Sequence, residues 1–288
     1  MHAQRGLWLF LVPSGTVLTL VLLYPLGYAF YLSLFNYYLG AEPIFIGLDN
    51  YSSLLLDERF WSSLRTTLLL VSASVSLQFV LGLAVAFGLY KLTFATKGLN
   101  VLLFLPHVVT PVVAALFLRW IFMGRFGLID AILIGLNIFP PDWLGNPNWA
   151  RLVVVLAESW QFTPFMIIVL YAGLNTVDQS QIESARMDGA GNWMLLTRVM
   201  LPAIRPLILF VLAIRIMDSF RFFDTIYVLT AGGPGTATET VTIYTYALGF
   251  RLLEVGKASA LGVLTLLITA TAIALVIAFL YRREKGAF

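Results

Sequence analysis

The chain is 288 residues long with a net charge of +3, 60% hydrophobic and only 11% charged residues, and a mean hydropathy of +0.89. Soluble domains carry about 25% charged residues, so there is too little polar side chain to cover a water-facing surface and lipid must cover the rest. The 18 lysines and arginines form no run longer than Arg282-Arg283, which excludes a nucleic-acid tract; the lack of cysteine excludes disulfides and thiol chemistry; and two histidines, His2 and His107, leave no His-based metal set.

A membrane span needs about 20 apolar residues. Six stretches meet or nearly meet that length: 7–34, 65–90, 99–122, 149–173, 204–230 and 258–281. They predict a single all-α membrane domain over 1–288 with six transmembrane helices. The first stretch, Leu7 to Leu34, is far longer than the roughly 7–15 residues of a secretion-signal core, and reads as an uncleaved span. Pro13 and Pro25, Pro106 and Pro111, and Pro164 predict kinks in the first, third and fourth spans. Small residues at four-residue spacing in the second span (Ser72 and Ser76, Gly82 and Ala86) predict close helix packing.

Six spans put both termini on one side. With the termini inside, Arg5, Lys91, Lys97, Arg186, Arg198, Arg205, Arg282, Arg283 and Lys285 fall in short inner segments. Arg59, Arg65, Arg119, Arg125, Arg151, Arg251 and Lys257 are spread over longer outer ones. The higher inner density predicts cytoplasmic termini. The outer loops 36–60 and 123–148, rich in Trp, Tyr, Pro and Asn, read as ordered surface structure.

The inner loop from Leu174 to Ala203 is long enough for helices of its own. It reads as a short helix, a bend at Gly189 and Gly191, and a second short helix ended by Pro202. That second helix is unusually apolar for a cytoplasmic loop, with Trp193, Leu195, Leu196, Val199, Met200 and Leu201. Two readings are open on physics alone: anchors for a partner's groove, or packing against the chain's own membrane helices. The stretch from Gly249 to Gly256-Lys257 has the wrong glycine spacing for a P-loop, and Ala258 replaces the magnesium-binding hydroxyl, so it is set aside.

Glu183, Ser184, Ala185, Asp188, Gly189 and Ala190, followed by Trp193 and closed by Leu201-Pro202, resemble the EAA loop of ABC importer permeases. Ser184 and Leu196 are mild departures, standing where alanine and phenylalanine are usual. Ile46 to Tyr51, Asp142 to Gly145, Trp160 to Phe165, and Phe223 to Gly235 with Thr238-Glu239-Thr240 resemble the carbohydrate branch, in order and along nearly the whole chain. The chain is similar to the first of the two non-identical membrane subunits of maltose- and glycerol-phosphate-type permeases. The resemblance implies the transmembrane domain of a type I ABC importer in a bacterial inner membrane. It implies a homologous second permease subunit, two ATPase subunits that bind ATP and magnesium, an extracytoplasmic solute-binding protein and a carbohydrate substrate. It implies that this chain itself binds no cofactor and is a transport subunit rather than an enzyme. The loop 174–203 becomes the coupling helix that docks in the ATPase subunit.

The fifth span carries Arg215, Asp218, Arg221 and Asp224, each three residues after the last. On one continuous helix such neighbours approach each other while the set drifts around the axis. An unpaired charge at the bilayer centre costs about 2.5–3.5 kcal/mol on the insertion scale, so these groups pair, face water, or both. Intramembrane charge marks a solute path by default, against the alternative of an internal ion-pair ladder. Glu158, Trp160, Phe162 and Tyr227 join Arg215, Asp218, Arg221 and Asp224 as residues to line a sugar path, although Trp and Tyr near span ends also serve as interfacial anchors. His107 reads as a packed helix residue. A second functional class is a proton-coupled secondary transporter with Glu158, Asp218, Asp224 and His107 as relay; it leaves the long inner loop unexplained.

Overall fold

The computed structural model describes residues 12–92 and 96–282. Residues 7–11 of the first predicted span, and Arg5, Arg283 and Lys285 of the charge count, lie outside the described residues. Among the described residues, four helices are long and apolar enough to cross a membrane: α1 (Val12–Ser33), α3 (Glu58–Lys91), α7 (Pro147–Leu174) and α13, apolar over Val255–Leu275 and helical to Arg282. The count reaches six when each of two bent pairs is one span.

The first bent pair is α4 (Thr96–Val108) and α5 (Pro111–Ile121), which meet at 103°. Pro111 disfavours helical dihedrals at the residue before it, and Thr110 is accordingly extended. The expected kink is thus a break. Pro164 has no such effect, and α7 runs unbroken through it. In α1 a wide turn at Thr19–Leu23 immediately precedes Pro25. The second bent pair, α9 (Asn192–Ala203) and α10 (Arg205–Ser219), meets at 77°. Here the sequence expectation needs correcting: the second loop helix does not stop at Pro202 but continues to Ala203, and the bend falls at Ile204, just before Pro206.

The chain forms two compact units. One contains residues up to Ser62 and Tyr244–Ile268. After α1, a two-residue hairpin pairs β1 (Phe35–Asn36) with β2 (Ile44–Phe45), and α2 (Asp49–Leu56) follows. The buried Asn50 amide donates to the carbonyls of Ser33 (2.8 Å), an acceptor at the end of α1 with no helical partner, and of Phe35 in β1 (2.9 Å). Asp57 accepts from the Tyr244 hydroxyl and pairs with Lys257 at 3.9 Å. Burial pushes the Asp57 carboxyl up, but Tyr244, the Arg59 amide, Lys257 and the Arg59 charge together hold it below its ordinary value. Gly256 donates its amide to the Tyr37 carbonyl (3.0 Å), and a Cβ there would overlap the Phe35 carbonyl oxygen. This glycine of the discarded P-loop lookalike is a close-approach residue.

The other unit contains Ser63–Ile243 and the chain from Thr269. Its core joins Leu70 of α3, Ala115 of α5, Val153, Val154 and Ala157 of α7, Ile226 and Leu229 of α11 (Asp224–Leu229), and Ile243. Gly82 lies so close to α7 that a Cβ would sit 2.7 Å from the Met166 Cβ, and Ala86 is buried. The small-residue spacing therefore marks packing at Gly82 and Ala86, whereas Ser72 and Ser76 are exposed.

Gly256→Ala is expected to lower the thermal unfolding midpoint of the detergent-solubilised protein, with an overpacking cost of about 1–3 kcal/mol. Gly262→Ala, where nothing lies within 4 Å, should leave it unchanged or raise it. Equal midpoints for the two variants would contradict the close approach.

Candidate functional site

Arg215 is the largest fully buried side chain among the described residues, at 1% exposure. Its helix, α10, presents it to α7 and α3. Nε donates to Gln78 Oε1 (3.0 Å), Nη1 to Asp218 Oδ2 (3.4 Å) and Nη2 to Ser219 Oγ (3.3 Å), while Glu158 Oε2 lies 3.8 Å from Nη2. The guanidinium also sits 3.9 Å from the centroid of the Phe162 ring, a cation–π position. Gln78 in turn donates to the Glu158 carbonyl (3.3 Å). Glu158 is 1% exposed, and its carboxylate lies beside the Arg215 guanidinium and the Thr225 hydroxyl.

In front of this assembly lies a cleft of about 420 Å³, lined by Pro111, Glu158, Phe162, Asp218, Arg221, Phe222, Phe223, Asp224 and Thr225. Its walls come from three devices. The Pro111 break turns α5 to one side, and Gln161 donates to the Val109 carbonyl (3.0 Å) at the break, so the freed backbone is satisfied. Arg119 of α5 donates to the Val228 carbonyl (3.0 Å), tying down α11. The loop after α11 is knit by hydroxyls: Thr230 and Thr238 share a bond of 2.7 Å, and Thr238 donates to the Gly233 carbonyl (2.8 Å).

The alternative of a continuous helical charge ladder is realised only in its first rung, Arg215 with Asp218. α10 ends at Ser219, residues 220–223 turn, and Asp224 opens α11, so Arg215 and Asp218 share a helix while Arg221 and Asp224 do not. The helix stops without glycine or proline because Phe222 and Phe223 fold back onto the core cluster. The structure brings Glu158, Phe162, Asp218, Arg221 and Asp224 to one cleft. Three residues grouped with them lie elsewhere. Arg215 sits behind the cleft wall; Trp160 lines a separate apolar pocket with Ser159, Thr163 and Pro164; Tyr227 stacks on Phe223 at 5.0 Å and packs on the core. His107 packs among Phe104, Phe162 and Phe165, with Nδ1 3.3 Å from the Gln161 carbonyl. Sequence reasoning missed Gln78, Ser219 and Thr225; an isolated Gln inside the apolar run 68–90 was the available signal.

The loop 174–203 is built as two short helices. Asp178 caps α8 (Gln179–Met187), accepting from the Ser180 amide at 2.9 Å, and the Ser180 amide and hydroxyl hold its carboxyl below the ordinary value. At the other end the Ala190 amide donates to the Ala185 carbonyl (2.9 Å) and the Gly189 amide to Arg186 (3.0 Å), with Gly189 at φ +81°. That is a Schellman cap, whose left-handed position favours glycine. The apolar residues divide between two roles: Ile182, Leu195, Leu196 and Met200 are buried in the chain's own fold, whereas Met187 is 88% and Trp193 76% exposed. Glu183, Ser184 and Asp188 are also exposed.

Residues 78–284 match the family model described as the binding-protein-dependent transport system inner membrane component. The chain belongs to this family. It is a membrane transport permease, not an enzyme. The permease is 36% identical over 294 residues to the trehalose transport system permease protein SugA of Mycobacterium tuberculosis, covering 100% of this chain and 91% of that one. It is 33% identical to the trehalose/maltose transport system permease protein MalF of Thermococcus litoralis, over 92% and 89% of the two chains. It is 32% identical to the sulfoquinovosyl glycerol transport system permease protein SmoG of Agrobacterium fabrum, over 88% and 83%. Its fold is that of a chain in the crystal structure of a bacterial ABC transporter for import of the acidic polysaccharide alginate. The TM-score is 0.85 at 23% identity, over 98% of this chain and 96% of that one. The permease is thus a type I ABC importer transmembrane domain, and the proton-coupled alternative is left without support.

Removing Arg215 leaves Glu158 buried beside no cation, and breaking a buried pair costs about 3–5 kcal/mol. Arg215→Ala is expected to lower the melting temperature of the permease complex strongly. Arg221→Ala, an exposed side chain with no ion pair among the described residues, should leave it within a degree or two while lowering solute uptake at least about tenfold. A destabilised Arg221→Ala with a stable Arg215→Ala would reverse the assignment of brace and cleft residue.

Proposed function

We propose that this permease is one of two homologous membrane subunits lining the path of a bacterial ATP-driven importer for a sugar or sugar derivative, with both termini in the cytoplasm. The observation that carries this reading is the similarity along the whole chain to trehalose and maltose permeases. The cleft containing Glu158, Phe162, Asp218, Arg221 and Asp224 supports it, since it combines aromatic faces with hydrogen-bonding groups. Its volume of about 420 Å³ is within the range of small-molecule sites.

An extracytoplasmic binding protein delivers the solute, and two ATPase subunits supply the energy. Glu183, Ser184, Ala185, Asp188, Gly189, Ala190, Trp193, Leu201 and Pro202 form the coupling segment, in which Trp193 and Met187 are the exposed anchors for the ATPase subunit. The buried Leu195, Leu196 and Met200 attach the same segment to the permease, so movement of the docked partner is passed to α10. ATP binding then shifts a two-state equilibrium by favouring the outward-open state.

The test is uptake of radiolabelled trehalose and maltose by proteoliposomes containing the permease, its partner permease, the ATPase subunits and the binding protein. Uptake should require ATP and be abolished by vanadate. Uptake driven by a proton gradient without ATP would overturn the reading.

Trp193→Ala removes an exposed anchor and is expected to leave membrane insertion and melting temperature unchanged. Loss of such an anchor costs at least about 2 kcal/mol of binding, or about 30-fold, and co-purification of the ATPase subunit should fall accordingly. Gly189→Val, forced to a φ of +81°, should lose stimulated ATP hydrolysis as well. Wild-type co-purification and stimulation in both would remove the loop from coupling.

A further inference from the structure

We infer that the connection between α5 and α7 is a lipid anchor: residues 126–139 lie in the bilayer interface, their exposed side covered by headgroups and upper acyl chains.

This stretch forms a short helix, α6 (Leu128–Gly135), on a framework that consumes its own polar groups. Asp130 is the one charged residue from Phe126 to Phe139, and it is 2% exposed. Its carboxyl group accepts from the Trp143 indole (2.7 Å) and from the Arg125 amide (2.6 Å). At the far end the Ile138 amide donates to the Leu133 carbonyl (2.8 Å) and the Asn137 amide to Ile134 (3.0 Å), with Asn137 at φ +57°. That is a Schellman cap, which satisfies carbonyls otherwise left to water. What remains outside is apolar. Phe126, Leu128, Ile132, Ile134, Leu136 and Phe139 are exposed, Phe139 to 95%, and Asn137 is the one polar side chain among them.

Six large apolar side chains exposed within one short stretch are not left to water, and their position names lipid as the cover. Trp143 packs edge-on against Trp149 in the first turn of α7, with ring centroids 5.0 Å apart, and Trp120 near the end of α5 is exposed. Tryptophan at span ends marks the headgroup level, and the bond from Trp143 to Asp130 holds α6 to that level. With 28 residues α7 is about 42 Å long against a hydrocarbon core of about 30 Å, so it reaches the headgroups. The exposed side of α5, with Val113, Leu116, Phe117 and Trp120, leads through Met123 into Phe126, so the apolar surface of α6 continues that of the bent pair. A docking face for a soluble protein carries about one hydrogen bond per 100–200 Å² and a polar rim. One asparagine does not supply that.

The native chain has no cysteine, so a nitroxide attached at Phe139→Cys, and separately at Ile134→Cys, reports on one position at a time. The permease with its co-purified partner subunits is placed in phosphatidylethanolamine–phosphatidylglycerol nanodiscs without a binding protein. Power-saturation electron paramagnetic resonance then compares collisions with oxygen, which concentrates among acyl chains, and with a neutral nickel chelate, which stays in water. At both positions oxygen collisions are expected to exceed nickel collisions at least about threefold, as burial about 5–10 Å into the boundary between headgroups and acyl chains requires. Nickel collisions equal to or above those of oxygen at either position would overturn the inference, and their loss on adding the binding protein would make the face a protein dock instead. Suppression of both collisions at either position, as inside a protein, would also overturn it.

Discussion

A guanidinium buried inside a membrane helix has to be neutralised and hydrogen-bonded, and Arg215 imposes that requirement on three helices at once. α3 supplies Gln78, α7 supplies Glu158 and the Phe162 ring, and α10 itself supplies Asp218 and Ser219. None of these partners is a close ion pair of ideal geometry; the carboxylate of Glu158 is 3.8 Å away. The charge is shared among several polar groups, which spreads the desolvation cost.

The cleft exists because two spans are broken in specific ways. Pro111 forces Thr110 out of helical geometry, and the freed carbonyl at Val109 is answered by Gln161 of the neighbouring helix. The fifth span breaks for another reason: Phe222 and Phe223 gain more by joining the core with Ile226 and Tyr227 than by continuing a helix. Non-helical backbone at membrane depth is tolerated where protein or a cavity supplies partners, and here both do.

The loop 174–203 divides its apolar residues: Ile182, Leu195, Leu196 and Met200 are buried in the permease's own fold, while Met187 and Trp193 remain outside. The bend between the two helices is fixed by backbone hydrogen bonds at Ala190 and Gly189, so the glycine of the motif has a conformational role independent of any partner.

The sequence by itself determined the membrane class, a bend at Pro111 and the two-helix form of the loop 174–203. These follow from hydropathy, proline sterics and turn chemistry, which act over a few residues. It also singled out five of the charged and aromatic residues that share the cleft, because charge in an apolar run is conspicuous. Only the tertiary structure decided that Arg215 is a brace behind the wall, that Trp160 and Tyr227 face elsewhere, and that the charges at three-residue spacing do not share a helix. Spacing along the chain gives an angular position only while a helix continues. The end of α10 at Ser219 is set by aromatic packing against residues of α5 and α7, distant contacts that leave no local signal.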